Sequence, residues 1–112
     1  VVSNHGGRVM DHMPGTAEVL PEIANAVGGR IKVLVDGGIR EGIDILKMLA
    51  LGADAVMIGR PVCIAAFGAG QEGVSFYLRE KLNELKKAMI LTGCGSIGRI
   101  DPSVIFRKKG ER

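Results

Sequence analysis

The chain has 112 residues, of which 46% are hydrophobic and 24% are charged. A complete barrel of eight βα units needs about 250 residues and Rossmann halves usually come in pairs, so this length excludes a whole copy of either. Aromatic residues make up 4% with no tryptophan, which argues against nucleic-acid modules that stack bases on aromatic side chains. The net charge of +3 is mild, and residues 107–112 are expected to be a frayed basic tail.

The cysteines and apolar runs bear on compartment. Cys63 and Cys94 have no metal or redox spacing, so we expect reduced thiols in a cytoplasmic protein and no bound metal. No apolar run reaches the about 18 residues that a membrane helix requires, so no membrane segment is expected. Because the chain opens inside an apparent strand at Val1, we expect residues 1–112 to be part of one domain of a longer polypeptide.

Three times along the chain, a short apolar run is followed by glycine with arginine and then by a helical stretch. The runs are Val1–Val2, Ile31–Val35 and Ala53–Ile58. Continuous β-branched runs predict parallel strands that are buried on both faces. Strands that alternate with helices predict an α/β fold built from right-handed βαβ units. Three strands alone would leave exposed apolar edges, which again favours part of a larger sheet.

Helical periodicity predicts a helix after each strand. The first begins with a Thr16 cap and ends near Val27, where Gly28 follows, and the second runs from about Glu41 to Gly52. We expect these side chains to face inward: Val19, Leu20, Ile23, Ala26 and Val27 in the first helix, and Ile43, Leu46, Leu49 and Ala50 in the second.

A short third helix is predicted from Pro61 towards Phe67, and residues 68–70 then break the chain. A long amphipathic helix follows over about residues 71–92, and residues 101–103 predict a turn into a last helical turn. The inward stripe of the long helix is expected to consist of Val74, Leu78, Leu82, Leu85 and Met89.

Glycine and arginine gather at the carboxyl ends of the strands, where binding sites of βα folds lie. Glycine lets the backbone approach a ligand closely, and the helix starts that follow present free N–H groups and partial positive charge. Arg40 and Arg60 add fork-shaped donors suited to phosphate. Tight turns with surface ion pairs would explain one such loop, but two in tandem favour a phosphate pocket.

His5 is the candidate base. It follows the first strand and precedes Arg8 by three residues. An imidazole accepts a proton near neutral pH, and an arginine holds a carboxylate through two parallel hydrogen bonds. This pair suits proton removal from a 2-hydroxy acid, although a histidine at a strand end is structural about as often. His12 is expected to be a loop residue.

The chain contains three motifs, which are Ser3–Arg8, Asp36–Arg40 and Gly59–Pro61. Their order and spacing resemble those of the FMN-dependent α-hydroxy acid dehydrogenase/oxidase family. This family includes glycolate oxidase, lactate oxidase, mandelate dehydrogenase and flavocytochrome b2. The resemblance extends to about Ile105. It implies the C-terminal part, about three βα units, of a (βα)8 TIM barrel that uses FMN to convert a small 2-hydroxy acid to a 2-oxo acid.

The resemblance also implies a role for each matching residue. His5 matches the catalytic base that contacts the substrate, Arg8 matches the residue that binds the substrate carboxylate, and Ser3 lies at a flavin-contact position. The loop that holds the ribityl chain and phosphate of FMN is matched by Asp36, Gly37, Gly38, Ile39 and Arg40, and the second phosphate loop by Gly59 and Arg60.

The family also uses tyrosines, an aspartate that partners the base and a lysine near the flavin ring. In the family these residues come from earlier strands, and residues 1–112 hold no match to them. Residues 10–13 depart from the sequence of many members, which affects contacts on the substrate side. We therefore expect these 112 residues alone to have no appreciable turnover. Both a carbanion route and hydride transfer are compatible with His5, and the electron acceptor stays open.

Two alternatives stand beside this interpretation. One is another FMN- or phosphate-binding barrel, similar to type 2 isopentenyl diphosphate isomerase, against which the base and carboxylate clamp argue. The other is a non-catalytic partial barrel that associates with itself to bury its open sheet edges. A homo-oligomer is expected for the protein.

Overall fold

The computed structural model describes residues 1–106, so the tail predicted at 107–112 lies outside the described residues. These residues form an α/β arrangement in which parallel strands alternate with helices. The elements are α1 (Thr16–Val27), β1 (Leu34–Val35), α2 (Gly42–Ala50), β2 (Ala55–Val56) and α3 (Arg60–Leu91), with short 3-10 helices at His5–Gly7, Ile97–Arg99 and Pro102–Val104.

The strands are parallel, as predicted. In the ladder of β1 and β2, Leu34 lies opposite Ala55 and Val35 opposite Val56. Val2 forms an isolated parallel bridge to Val35, so β1 lies between Val2 and β2. Asp36 N–H donates to the Val2 carbonyl at 3.1 Å, which carries the pairing to the point where β1 ends.

The predicted length and burial of the strands are wrong. The ladder of β1 and β2 spans two residues in each strand rather than the whole apolar runs. Val35 is fully buried, but Ile31 is 68% exposed and Met57 is 44% exposed. An apolar run is buried on both faces only where other elements cover both, and residues 1–106 give Ile31 and Met57 no such cover.

Helix α1 has the predicted bounds but a different cap. Gly15 is the N-cap residue, and its N–H donates to Glu18 Oε1 at 3.3 Å. Thr16 is instead the first helical residue, and its hydroxyl donates to the Asp36 carbonyl at 2.6 Å. The prediction of a Thr16 cap is therefore wrong, because this side chain ties α1 to the end of β1.

The inward face of α1 centres on Leu20, which is fully buried. Val19 and Val27 are half-buried as predicted, whereas Ile23 and Ala26 are exposed. With about 100° of rotation per residue, Ala26 points roughly 120° away from Leu20, which accounts for its exposure, whereas Ile23, 38% exposed, lies in direction between Val27 and Val19. The predicted stripe was too wide.

Helix α2 lies between β2 and α3 and packs on both. Leu46 and Ala50 are buried and Leu49 is half-buried, as predicted, but Ile43 is exposed. Ile45 and Met48 are also buried, which the sequence did not predict. A helix packed between two neighbours buries two stripes, and the periodicity of one face reveals only one of them.

The predicted break in the C-terminal helical region is confirmed within α3. Ala69 (φ −152°) and Gly70 (φ 53°) are non-helical and divide the element in two. Leu85 is buried and Val74 and Met89 are half-buried, but Leu78 and Leu82 are 45% and 57% exposed. The predicted stripe is thus partly wrong, and the contact of α3 with α2 lies at Glu84 and Leu85, which pack on Gly42.

Among residues 1–106, no helix combines the length and apolar character needed to cross a membrane.

Candidate functional site

A cavity of about 520 Å³ opens where the strands end. Its walls come from the loop after Val2, the loop after β1 and the first turns of α3. Nine of the ten predicted site residues line it: His5, Arg8, Asp36, Gly37, Gly38, Ile39, Arg40, Gly59 and Arg60. The short parallel ladder causes this convergence, because all its strand ends face the same edge of the sheet.

Arg40 and Arg60 lie on this one cavity, and both are exposed. The Arg60 guanidinium also lies against Gly6, where an added Cβ would be 2.7 Å from Arg60 Nη2. Gly6 has φ 64°, a conformation that glycine adopts at little cost. Sequence reasoning did not include Gly6 in the site, although its place directly after His5 is the signal that could have found it.

The loop after β1 presents unused backbone donors to the cavity. Within residues 1–106, the N–H groups of Gly37, Gly38 and Ile39 donate no hydrogen bond. Gly37 and Gly38 have φ values of 95° and 75°, which turn the chain at the end of the strand. The Ile39 side chain is buried in the core, so it anchors the loop while its backbone lines the cavity.

The start of α3 forms the opposite wall. Gly59 is the N-cap residue and Pro61, which has no N–H, occupies the second helical position. In the described part of the chain, the N–H groups of Gly59 and Arg60 have no hydrogen-bond acceptor. A helix start in this state carries partial positive charge and attracts an anion.

The start of α2 differs from this expectation. Asp44 Oδ2 accepts the N–H groups of both Arg40 and Glu41, each at 3.1 Å. Glu84 Oε2, from α3, accepts the Gly42 N–H at 2.7 Å. The prediction of free N–H groups at this helix start is therefore wrong, because two carboxylates already occupy them.

Ser3 is the predicted site residue that lies outside the cavity lining. Its hydroxyl donates to Asp36 Oδ1 at 2.7 Å and accepts the His5 N–H at 3.1 Å. His5 itself has φ 54°, which is strained for a residue with a side chain. The Ser3 hydroxyl thus links the loop that carries the candidate base to the loop after β1.

The charged lining of the cavity is net positive. It contains the guanidinium groups of Arg8, Arg40 and Arg60, the Asp36 carboxylate and the His5 imidazole. Arg8 forms no ion pair within residues 1–106 and stays available for an external carboxylate. Apolar side chains complete the wall, namely Met57, Ile58 and Ile64. The described residues hold no cluster of three metal-ligating side chains.

A family model described as FMN-dependent dehydrogenase matches residues 1–107. The chain belongs to this family. The family that the motifs resembled is therefore confirmed.

Relatives in this family include an L-lactate dehydrogenase of Xanthomonas euvesicatoria pv. vesicatoria (strain 85-10), which is 49% identical over 112 residues, covering 100% of this chain and 29% of that protein. An L-lactate dehydrogenase of Pseudomonas aeruginosa (strain LESB58) is 46% identical over 110 residues, covering 98% and 29%. This family member thus spans about 29% of the length of the curated relatives it matches.

Solved structures agree with this assignment. A crystal structure of mandelate oxidase with benzoyl-formic acid aligns with a TM-score of 0.87 and 51% sequence identity, covering 90% of this chain and 30% of that one. This chain and mandelate oxidase are therefore similar in sequence as well as in backbone structure over the aligned residues.

Proposed function

We propose that residues 1–112 are the C-terminal part of a single FMN-binding (βα)8 barrel domain that oxidises a 2-hydroxy acid to a 2-oxo acid. The observation that carries the proposal is the convergence of nine predicted residues on one cavity at the carboxyl ends of parallel strands. Three strand segments in the order Val2, β1, β2, with α1 and α2 connecting consecutive segments and α3 following β2, support a barrel segment.

The donor set suits FMN. A phosphate would be held by Arg40 and Arg60 together with the free N–H groups of residues 37–39 and of the α3 start. The Asp36 carboxylate would accept hydrogen bonds from ribityl hydroxyl groups, and the apolar wall would cover the flavin ring. When bound, FMN supplies the two-electron acceptor of the reaction.

The remaining chemistry belongs to His5 and Arg8, which line the same cavity. The Arg8 guanidinium holds the substrate carboxylate and so orients the carbon that carries the hydroxyl group. The His5 imidazole takes up one proton as the 2-hydroxy acid becomes a 2-oxo acid. Ser3 holds the His5 backbone through the hydrogen bond at 3.1 Å.

Flavin reduction tests the proposed activity. The full chain, with any residues that its gene encodes around these 112, is loaded with FMN and mixed anaerobically with L-lactate or mandelate. We expect the absorbance of oxidised flavin to disappear, and His5→Gln to slow this loss by at least 100-fold because the proton acceptor is gone. A wild-type protein that holds FMN but is reduced by neither acid contradicts the proposed activity.

The location of the cofactor can be tested separately from activity. Cys63 is exposed and lines the cavity, whereas Cys94 lies outside its lining. FMN should slow alkylation of Cys63 at least tenfold and leave Cys94, the matched control, unchanged. Peptide mass spectrometry gives both rates, and equal protection of the two thiols would count against the site.

We also propose that the 112 residues alone have no appreciable turnover. Within residues 1–106, the His5 imidazole has no carboxylate partner that would stabilise its charged form after proton uptake. Clear oxidation of lactate or glycolate by these residues with FMN and an electron acceptor would refute this statement.

A homo-oligomer in the cytoplasm completes the proposal. Exposed apolar side chains, including Phe67, Ile90 and Leu91, support self-association. The free thiols of Cys63 and Cys94 suit a reducing compartment. Light scattering at two concentrations tests the association, and a monodisperse monomer would exclude it.

A further inference from the structure

The start of α2 is joined to α3 by direct backbone packing. At Gly42, an added Cβ would overlap the Leu85 nitrogen and lie 2.5 Å from the Glu84 carbonyl carbon. Gly42 is therefore the point at which the two helix backbones meet, two residues after Arg40.

Two polar contacts reinforce this junction. Glu84 Oε2 accepts the Gly42 N–H at 2.7 Å, while Glu84 Oε1 pairs with Lys81 Nζ. The Tyr77 hydroxyl donates to the Arg40 carbonyl at 3.3 Å. One face of α3 thus holds the segment 40–42 at both ends.

We propose that Glu84 is a positioning residue for cofactor binding. By capping α2 from a different helix, it fixes the backbone direction of the segment that carries Arg40, and so aims the Arg40 guanidinium into the cavity. This inference rests on the proposed function, because the anion that Arg40 receives is the FMN phosphate.

The Asp44 and Glu84 carboxylates bind the start of α2 in different ways, and this difference supports the role of Glu84. Asp44 lies within α2 and already accepts two N–H groups at the helix start, so α2 has a cap of its own. Glu84 adds a tie to a second element instead. That element is the part of α3 that follows the break at Ala69 and Gly70, whereas Arg60 lies in the part before the break.

The test measures FMN affinity of the full chain by flavin fluorescence in four proteins. We expect Glu84→Ala to raise the Kd for FMN at least tenfold, and Glu84→Gln to stay within threefold because its amide oxygen still accepts the Gly42 N–H. Glu80→Ala, the matched control on an exposed part of α3, should leave the Kd unchanged. Equal affinity of Glu84→Ala and Glu80→Ala would overturn the proposal.

A double-mutant cycle separates positioning from general loss of structure. If Glu84 acts through Arg40, Glu84→Ala should change the Kd less than twofold in an Arg40→Ala background. Additive effects would overturn the proposal, since they would show that Glu84 acts independently of Arg40.

Hydrogen exchange provides a readout that needs no cofactor. In the apoprotein, Glu84→Ala should speed amide exchange at residues 40–42 at least tenfold, while residues 16–27 of α1 keep their rates. Unchanged exchange at 40–42 would overturn the proposal. If the alanine variant does not fold, Glu84→Met, which keeps the side-chain length but has no acceptor oxygen for the Gly42 N–H, takes its place with the same expected result. If Glu84→Ala shows this exchange pattern but the wild-type protein binds no FMN, the proposed function is refuted instead.

Discussion

The starts of α2 and α3 follow the neighbouring strands β1 and β2, but they are built in opposite ways. At α2, Asp44 and Glu84 accept the N–H groups of Arg40, Glu41 and Gly42. At α3, Gly59 and Arg60 keep their N–H groups free within the described residues. One helix start is therefore closed by the protein's own carboxylates, and the other is open to an external anion.

This difference shows that a glycine–arginine loop before a helix does not by itself make that helix an anion site. Two carboxylates at the α2 start offset the partial positive charge of that helix. At that loop the available donors are the Arg40 side chain and the N–H groups of residues 37–39. Of these two helix starts, only the start of α3 leaves its partial positive charge available to an anion within residues 1–106.

Gly42→Ala should break the closed start with the largest effect. The new methyl group would overlap the backbone at Leu85, which cannot move as a flexible side chain can. We expect a loss of about 3 kcal/mol in the free energy of unfolding, measured by urea denaturation of the full chain. Gly59→Ala is the matched control, because no atom of residues 1–106 lies within 4 Å of a Cβ there. It should cost less than about 1 kcal/mol, and equal losses would show that the junction is not tight.

Arg60→Ala should weaken the open start next. Removal of a charge-assisted hydrogen bond to phosphate costs about 2 kcal/mol, which raises the Kd for FMN about 30-fold. Arg79→Ala removes the same charge from an exposed position on α3 outside the cavity lining and should have no effect on the Kd. Flavin fluorescence titration measures both, and equal Kd values for the two variants would place the phosphate elsewhere.

Asp44→Ala should have a smaller effect on stability than Gly42→Ala. It leaves the Arg40 and Glu41 N–H groups without their acceptor, at a cost of about 1 kcal/mol in the free energy of unfolding. Asp44→Asn keeps an acceptor oxygen and should recover most of the loss. Urea denaturation compares the two, and identical losses would indicate that charge rather than hydrogen bonding closes this helix start.

The smallest expected effect is a pH dependence at the closed start. The Lys81 ammonium, followed by the Gly42 N–H, holds the pKa of the Glu84 carboxyl below its usual value of 4.5. A carboxyl whose pKa is lowered by folding stabilises the protein above the usual pKa, and this contribution is lost as the pH falls through the folded value. Glu84 is about one-third exposed, so the effect stays below about 1 kcal/mol.

Thermal melts between pH 7 and pH 3 should therefore show that wild type exceeds Glu84→Gln in Tm at neutral pH and loses this advantage below about pH 4.5. Gln71→Ala, which replaces an exposed side chain of α3 that does not titrate, is the control, and its difference from wild type should not change over this range. A Glu84→Gln difference that persists unchanged to pH 3 would contradict the lowered pKa.

Much of the site was predictable because it depends on local sequence. Glycine and arginine directly after each apolar run placed nine residues at strand ends, and parallel pairing brought those ends together. Ser3 shows what local sequence does not reveal. The resemblance implies a flavin contact for Ser3, and only the structure shows that its hydroxyl also donates to Asp36, which lies 33 residues away.

The amino-acid sequence was enough to predict the alternation of strands and helices, the end of α1 at Val27, the break near Gly70 and the family of the chain. These follow from local preferences of the backbone and from motif spacing. The closure of α2 by Glu84, with the start of α3 left open, became visible only in the folded chain. The reason is that this hydrogen bond joins residues 42 positions apart, and the packing of one helix on another, which no periodicity of either helix encodes, brings them together.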